Sequence, residues 1–277
     1  MSRKQALADF QSELHVSYSQ VFTYLACPLK YQFQYVEQRP AERISIALPF
    51  GSAIHSAIER YHRGLMDNGV PDPLWQLQDV FAEVLTAGLD RVEVPIIYKQ
   101  QTPNRAAAID MGRKMLKAFY EGIDMTGFEI IGIELPLTAR LYSEAGQALD
   151  MVVTGIIDLL LKDAASNIIA VDNKTAKNPY GQDTVDEDLQ LTSYAYLLAA
   201  NRYVFPKVDV YCRFDVLRKL KKSPKFEQHY TVRTAKQRRR FAKLTGAVLA
   251  GIEARIFMPS KSWMCGDCQF AEACKDW

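Results

Sequence analysis

Two aspartates and a lysine offer the first chemistry in the chain: Gly155-Ile156-Ile157-Asp158 is followed, beyond a polar turn, by Asp172-Asn173-Lys174. Side chains at i and i+2 of a strand share a face, so Asp172 and Lys174 point one way and Val171 and Asn173 the other. If Asp158 ends a neighbouring antiparallel strand, two carboxylates and an ammonium converge. Such oxygen donors suit Mg²⁺ or Mn²⁺, which keep waters and bridge phosphates. A lysine beside them can orient or help deprotonate an attacking water and offset charge on the phosphate. The bare D-x-K triplet arises by chance about once in a chain of this length. Its apolar setting, Ile168-Ile169-Ala170-Val171, gives it weight, because unpaired charge beside such a run is costly.

Further polar groups fall at helical spacing. His55 and Glu59 lie one turn apart, as if the glutamate could orient the imidazole, and His62 shares their stripe without an evident role. Gln190 and Tyr194, four apart, can present an amide and a phenol to one cleft.

The cysteines form a second group. Cys27 stands near the start, while Cys265, Cys268 and Cys274 close the chain as C-x2-C-x5-C. Four thiolates can hold a tetrahedral metal or an iron–sulfur cluster. Of the two candidates for the fourth ligand, Cys212 alternates with Val208, Val210, Phe214 and Val216, the mark of an apolar position on a sheet core. Cys27 precedes Pro28, at a break between helices. The N-terminus, MSRKQALADFQSELH, is charged and mixed, and no apolar run reaches membrane-spanning length. A reducing cytoplasm with free thiols is therefore expected rather than disulfides, and no membrane partner. Zinc and an iron–sulfur cluster both remain open on composition.

The elements that must position these residues are legible in outline. Ser17 caps a short helix, and Pro28 starts another reaching residue 36. Apolar residues recur at helical spacing over 51–68, 74–89 and 106–123, so residues 17–124 read as mostly helical. Three β-branched runs follow at 128–141, 151–161 and 168–174, then a helix over 187–202. Strands at 208–217 and 226–232 flank a lysine-rich turn, and Thr234 caps a helix to about residue 257. A few strands enclosing a helix, with helices at both ends, indicate an α/β or α+β domain. No linker or repeat divides the 277 residues. The net charge of +2 does not announce nucleic-acid binding, but basic residues cluster at 218–225 and 233–243, where a phosphate backbone could run.

Taken in order, these pieces resemble the RecB-type branch of the PD-(D/E)XK nucleases. The likeness is to its iron–sulfur subgroup, which includes the CRISPR-associated RecB-like exonucleases and the AddB nuclease domain. It is carried by S-Y-S-Q-V-F-T-Y-L-A-C-P at 17–28, G-S-A-I-H at 51–55, G-I-I-D at 155–158, V-D-N-K-T at 171–175, Q-L-T-S-Y-A at 190–195 and the terminal cysteines. The resemblance implies a restriction-endonuclease-like α/β core, a central mixed sheet flanked by helices. The helical part would span 17–124, the catalytic sheet 125–257 and the cysteine segment 258–277, all in one domain over 1–277. It implies that His55, Asp158, Asp172 and the backbone carbonyl of Asn173 bind Mg²⁺ or Mn²⁺ and that Lys174 is catalytic. Gln190 and Tyr194 match the motif associated with the active site and DNA. Cys27, Cys265, Cys268 and Cys274 match the ligands of a structural 4Fe–4S cluster. Extra helices across 70–124 set the chain apart from compact CRISPR-associated members.

The expected activity is a metal-dependent deoxyribonuclease, an exonuclease acting on single-stranded or free-ended DNA in repair, phage or CRISPR-type processing. The chain carries no G-x-x-x-x-G-K-[ST], so unwinding would fall to a helicase or other partner. The competing reading is a nucleic-acid-binding scaffold with a vestigial site.

Overall fold

The computed structural model describes residues 15–143 and 146–277, so most of the charged N-terminal stretch lies outside the described residues. Ser17 ends a short strand, β1 (His15–Ser17), and caps α1 (Tyr18–Ala26) with a reciprocal Ser17–Gln20 capping box. Cys27 breaks the chain in an extended conformation before Pro28 opens α2 (Pro28–Tyr31), which runs on into a π-helical turn over Gln32–Val36.

Three longer helices follow, α3 (Ala47–Asn68), α4 (Leu74–Asp90) and α5 (Arg105–Gly122), with two-residue strands β2 (Ile44–Ser45) and β3 (Ile96–Ile97) between them. Helix α3 begins four residues before the expected start and ends at Gly69, whose φ of +74° any Cβ would strain. Apolar residues at i, i+4 spacing give each helix a buried stripe: Phe50, Ile54 and Ile58 on α3, Leu77, Phe81 and Leu85 on α4, Met115 and Phe119 on α5. These stripes form one core, to which the sheet adds Leu217. Each such side chain contributes about 1.5–3 kcal/mol on burial.

The sheet is built from β4 (Phe128–Tyr142), β5 (Ala148–Asp163), β6 (Ile168–Ala176), β7 (Val210–Arg218) and β8 (Lys225–Arg233). Its order is β1-β5-β6-β7-β8, with β4 also on β5. Pairs β4–β5, β5–β6 and β7–β8 are antiparallel, and β1–β5 and β6–β7 parallel, so the sheet is mixed. The helix expected at 187–202 is α7 (Leu189–Ala200), which starts two residues late because Asp188 caps it through the Leu191 amide, and an unexpected short helix, α6 (Gln182–Asp186), precedes it. Thr234 caps α8 (Ala235–Glu253) as expected, although the helix stops short of residue 257. Helices α7 and α8 pack on the sheet through Leu191, Leu197, Leu198 and Phe241. The result is a mixed α/β core flanked by helices on both faces. Among the described residues no helix is long and apolar enough to cross a membrane.

Candidate active site

Strand β5 pairs with β6 only from Leu159 to Lys162, and with β1 only from Val152 to Thr154. The segment between, residues 155–158, has no strand on that edge, so a cleft opens where β5 and β6 part. Asp158 stands at the fork. Its Oδ2 accepts a hydrogen bond from the Asn173 amide at 2.8 Å, so a side chain takes over where the strand ladder stops. The cleft is lined by Ser17, Tyr18, His55, Asp158, Asp172, Lys174, Gln190 and Tyr194.

Each wall brings its own groups. From β6, Asp172 and Lys174 share a face as expected, with Nζ of Lys174 2.5 Å from Asp172 Oδ2. From α7, the Gln190 amide donates to Asp172 Oδ1 at 2.6 Å, and its carbonyl oxygen accepts from Lys174 at 2.7 Å. The Tyr194 hydroxyl donates to the same Asp172 oxygen at 2.9 Å. From α3, His55 places Nδ1 3.2 Å from Asp158 Oδ2. Gly155 allows α7 to lie this close, since a Cβ there would sit 2.7 Å from Leu197 Cδ1. The residues selected from sequence are thus neighbours in one cleft. Glu59 is not among them: it pairs with Arg63, four residues on, and the imidazole of His55 faces Asp158 instead.

Burial sets the two carboxyls apart. Asp172 is pushed up to about 6, first by burial and then by the charge of Asp158, with Lys174 opposing. Burial also works to raise Asp158, but His55, the Asn173 amide and Lys174 outweigh it and hold the carboxyl below the usual range. Burial disfavours the charge on Lys174, yet Asp172 and Asp158 more than compensate and keep it an ammonium. The same contest, won by Asp158 and Asp172, raises His55.

A carboxylate that sequence reasoning missed joins them. Glu134 of β4 is 9% exposed, and its carboxylate, that of Asp158 and a ring nitrogen of His55 all lie within 4.8 Å of one another. Hard oxygen donors with one imidazole make a set suited to a divalent cation. No local signal marks it, because the register shifts between the turn-proximal pair Tyr142↔Ala148 and the ladder that carries Ile133↔Leu159.

The cysteines also meet. The Tyr24 hydroxyl donates to the Ile256 carbonyl at 2.9 Å, clipping α1 to the segment after α8, and the Leu29 amide donates to the Met258 carbonyl. The carboxylate of Glu42 takes the amides of Glu272 and Ala273 at 2.8 Å each. Leu29, Phe33 and Phe270 form a small apolar nucleus against Cys27, Cys268 and Cys274. Amides of Ser260 and Ser262 point at Sγ of Cys27 and Cys265, 3.5 and 3.4 Å away, as thiolate acceptors require. The Cys274 thiol is pushed up by burial and then by Cys27, Cys268 and Cys265 around it. Cys212 lies apart, buried in β7, with its thiol pushed up to about 12 by burial.

The basic clusters divide into buried and exposed groups. Arg218 is buried against Glu227 and the Lys177 carbonyl, and Lys219 lies 4.0 Å over the Phe50 ring. Arg233 and Arg238 are buried against backbone carbonyls. Lys236, Arg239, Arg240 and Lys243 are exposed and line a groove of about 680 Å³ that also includes Tyr142 and Tyr196.

The family model described as the PD-(D/E)XK nuclease superfamily matches residues 15–275. No curated protein matches the sequence. Among solved structures, one titled "Crystal structure of SSO0001" is similar at 12% identity and a TM-score of 0.38, with 90% of this chain and 94% of that chain covered.

Proposed function

The chain belongs to the PD-(D/E)XK nuclease superfamily, whose members are metal-dependent nucleases, and on that premise we propose that it is a RecB-like deoxyribonuclease that degrades single-stranded or free-ended DNA. The observation that supports this most is the convergence of Asp158, Asp172 and Lys174 where β5 and β6 part, with His55 reaching in from α3.

His55, Asp158, Asp172 and the Asn173 carbonyl would hold Mg²⁺ or Mn²⁺. When bound, the cation supplies Lewis-acid stabilisation of charge on the phosphodiester. Asp158, ionised across the neutral range, is the constant anion of the site. Gln190 ties Lys174 to Asp172, so the ammonium is fixed before substrate arrives. Because its neighbours keep it charged, Lys174 acts by orienting water and offsetting phosphate charge rather than by accepting a proton. The groove bearing Lys236, Arg239 and Arg240 would receive the backbone of the strand, with Tyr142 and Tyr196 available to stack on bases.

For the cysteines we favour a 4Fe–4S cluster over zinc. The reading rests on the match of Cys27, Cys265, Cys268 and Cys274 to the ligands of such a cluster in the family resembled, and is supported by the other three thiols acting on Cys274. The cluster would join residue 27 to the C-terminal segment and make 1–277 one domain, working in the cytoplasm in DNA repair with a helicase partner.

The test is cleavage of end-labelled linear DNA, single- and double-stranded, against circular DNA, with Mn²⁺ and with chelator. Loss of linear substrates alone, abolished by Asp172→Ala, is the expected result. Intact substrates with wild type and variant alike would leave a DNA-binding scaffold as the better reading.

A further inference from the structure

We propose that Glu134 is an additional ligand of the divalent-cation site, entering from β4. The inference rests on the nuclease reading of the cleft. Strands β4 and β6 are both hydrogen-bonded to β5, so Glu134 and Asp172 approach Asp158 from its two neighbours.

Three observations point to this. First, the ladder runs Ile133↔Leu159 and then Leu135↔Ile157, which sets Glu134 directly opposite Asp158. Two carboxylates facing each other on adjacent strands repel, and both are at least nine-tenths buried, at 9% and 7% exposure. A cation between them turns that repulsion into ligation.

Second, Glu134 has φ of +47° in the middle of a strand. A non-glycine residue held there stores strain, and such outliers gather at functional sites. The backbone thus departs from regular strand geometry at the position of β4 that faces Asp158.

Third, the spacing fits one ion. At ~2.1 Å per bond, neighbouring ligands of an octahedral Mg²⁺ or Mn²⁺ lie ~3 Å apart and opposite ones ~4.2 Å. The 3.2 Å between His55 Nδ1 and Asp158 Oδ2 is a neighbouring-ligand distance, and Glu134 lies within 4.8 Å of both partners, so at most a few tenths of an ångström of side-chain movement brings it to an octahedral position. Asp172 is engaged differently, its oxygens facing Lys174, Gln190 and Tyr194.

The experiment is Mn²⁺ titration by calorimetry, with thermal melting in parallel, on wild type, Glu134→Gln and Glu134→Gly. Glutamine keeps shape and removes charge, and we expect Mn²⁺ affinity to fall about tenfold or more. Glycine relieves the positive φ and removes the carboxylate. Measured against its own melting temperature in chelator, Glu134→Gly should lose the rise that Mn²⁺ gives wild type. A merely structural glutamate would leave that Mn²⁺ response intact in both variants and would overturn the proposal. Wild type that binds Mn²⁺ no better than Glu134→Gln would overturn it too, with the nuclease reading intact. Wild type with no Mn²⁺ binding at all would overturn both.

Discussion

The phenol of Tyr194 on α7 donates to Oδ1 of Asp172 on β6 across 2.9 Å, the oxygen that also accepts the Gln190 amide at 2.6 Å. Two donors on one oxygen hold the carboxylate in place and favour its ionised form against burial. Tyr194→Phe keeps the ring and removes the donor, so the fold should lose only about 1 kcal/mol. In the metal-free protein the carboxyl of Asp172, at about 6, should move up in the variant. Titration of the side-chain carboxyl carbons by NMR, on both proteins in chelator, checks the displacement.

Lys174 makes the reciprocal case. Its ammonium sits between Asp172 Oδ2 and Gln190 Oε1, a setting that fits one compact donor group. Lys174→Met should lower kcat by about 10²–10³, the loss typical of one preorganised charge at a reacting phosphate, with DNA affinity nearly unchanged. Lys174→Arg should rescue little, because a planar guanidinium cannot occupy the same point. Single-turnover cleavage beside a binding isotherm separates the two effects.

Much of the site was legible because its logic is local. Period-two spacing put Asp172 and Lys174 on one face, and i, i+4 spacing did the same for Gln190 and Tyr194. Pro28 and Ser17 marked the breaks that carry Cys27 and cap α1. Glu134 escaped because its place opposite Asp158 is fixed by hairpin register, and β4–β5 has irregularities after Ile130 and Arg140 that no local rule reveals. Glu59 was misassigned for a related reason: Arg63 is also one turn away, and an arginine wins the carboxylate. The basic clusters misled in part, since charge reads as solvent-facing. Arg218, Arg233 and Arg238 are nonetheless buried, their guanidinium groups taken up by backbone carbonyls.

His62 links the fold to pH. Its ring packs edge-on against Tyr61 and Phe119, at centroid distances of 5.2 and 6.1 Å, and neither ring nitrogen has a hydrogen-bond partner. Burial, aided by Arg213, pushes its pKa down to about 3 from the ordinary 6.5. On acidification the unfolded chain takes up this proton first. The stability tied to neutral His62 is therefore intact above about 6.5 and declines as pH falls from there toward about 3. His62→Phe should remove that decline. Between pH 7 and pH 5 the variant should lose about 2 kcal/mol less than wild type, measured by denaturant unfolding at each pH.

The cysteine segment and the cleft should separate experimentally. Cys268 sits where the C-terminal turn meets α2: the Arg43 guanidinium donates to its carbonyl at 3.0 Å, and its side chain lies against the nucleus of Leu29, Phe33 and Phe270. None of these residues lines the cleft holding Asp158 and Asp172. If the four thiolates bind a cluster, anaerobically purified wild type should be brown, with broad absorption near ~400 nm, and Cys268→Ala should lose colour and iron. Loss of a group that binds only the folded chain lowers stability by its binding free energy, so the melting temperature should drop markedly. Mn²⁺ affinity of the remaining folded protein should stay within about twofold of wild type, because the cleft ligands come from α3, β4, β5 and β6 and none from the cysteine segment. A well-folded Cys268→Ala protein unable to bind Mn²⁺ would contradict that division of labour.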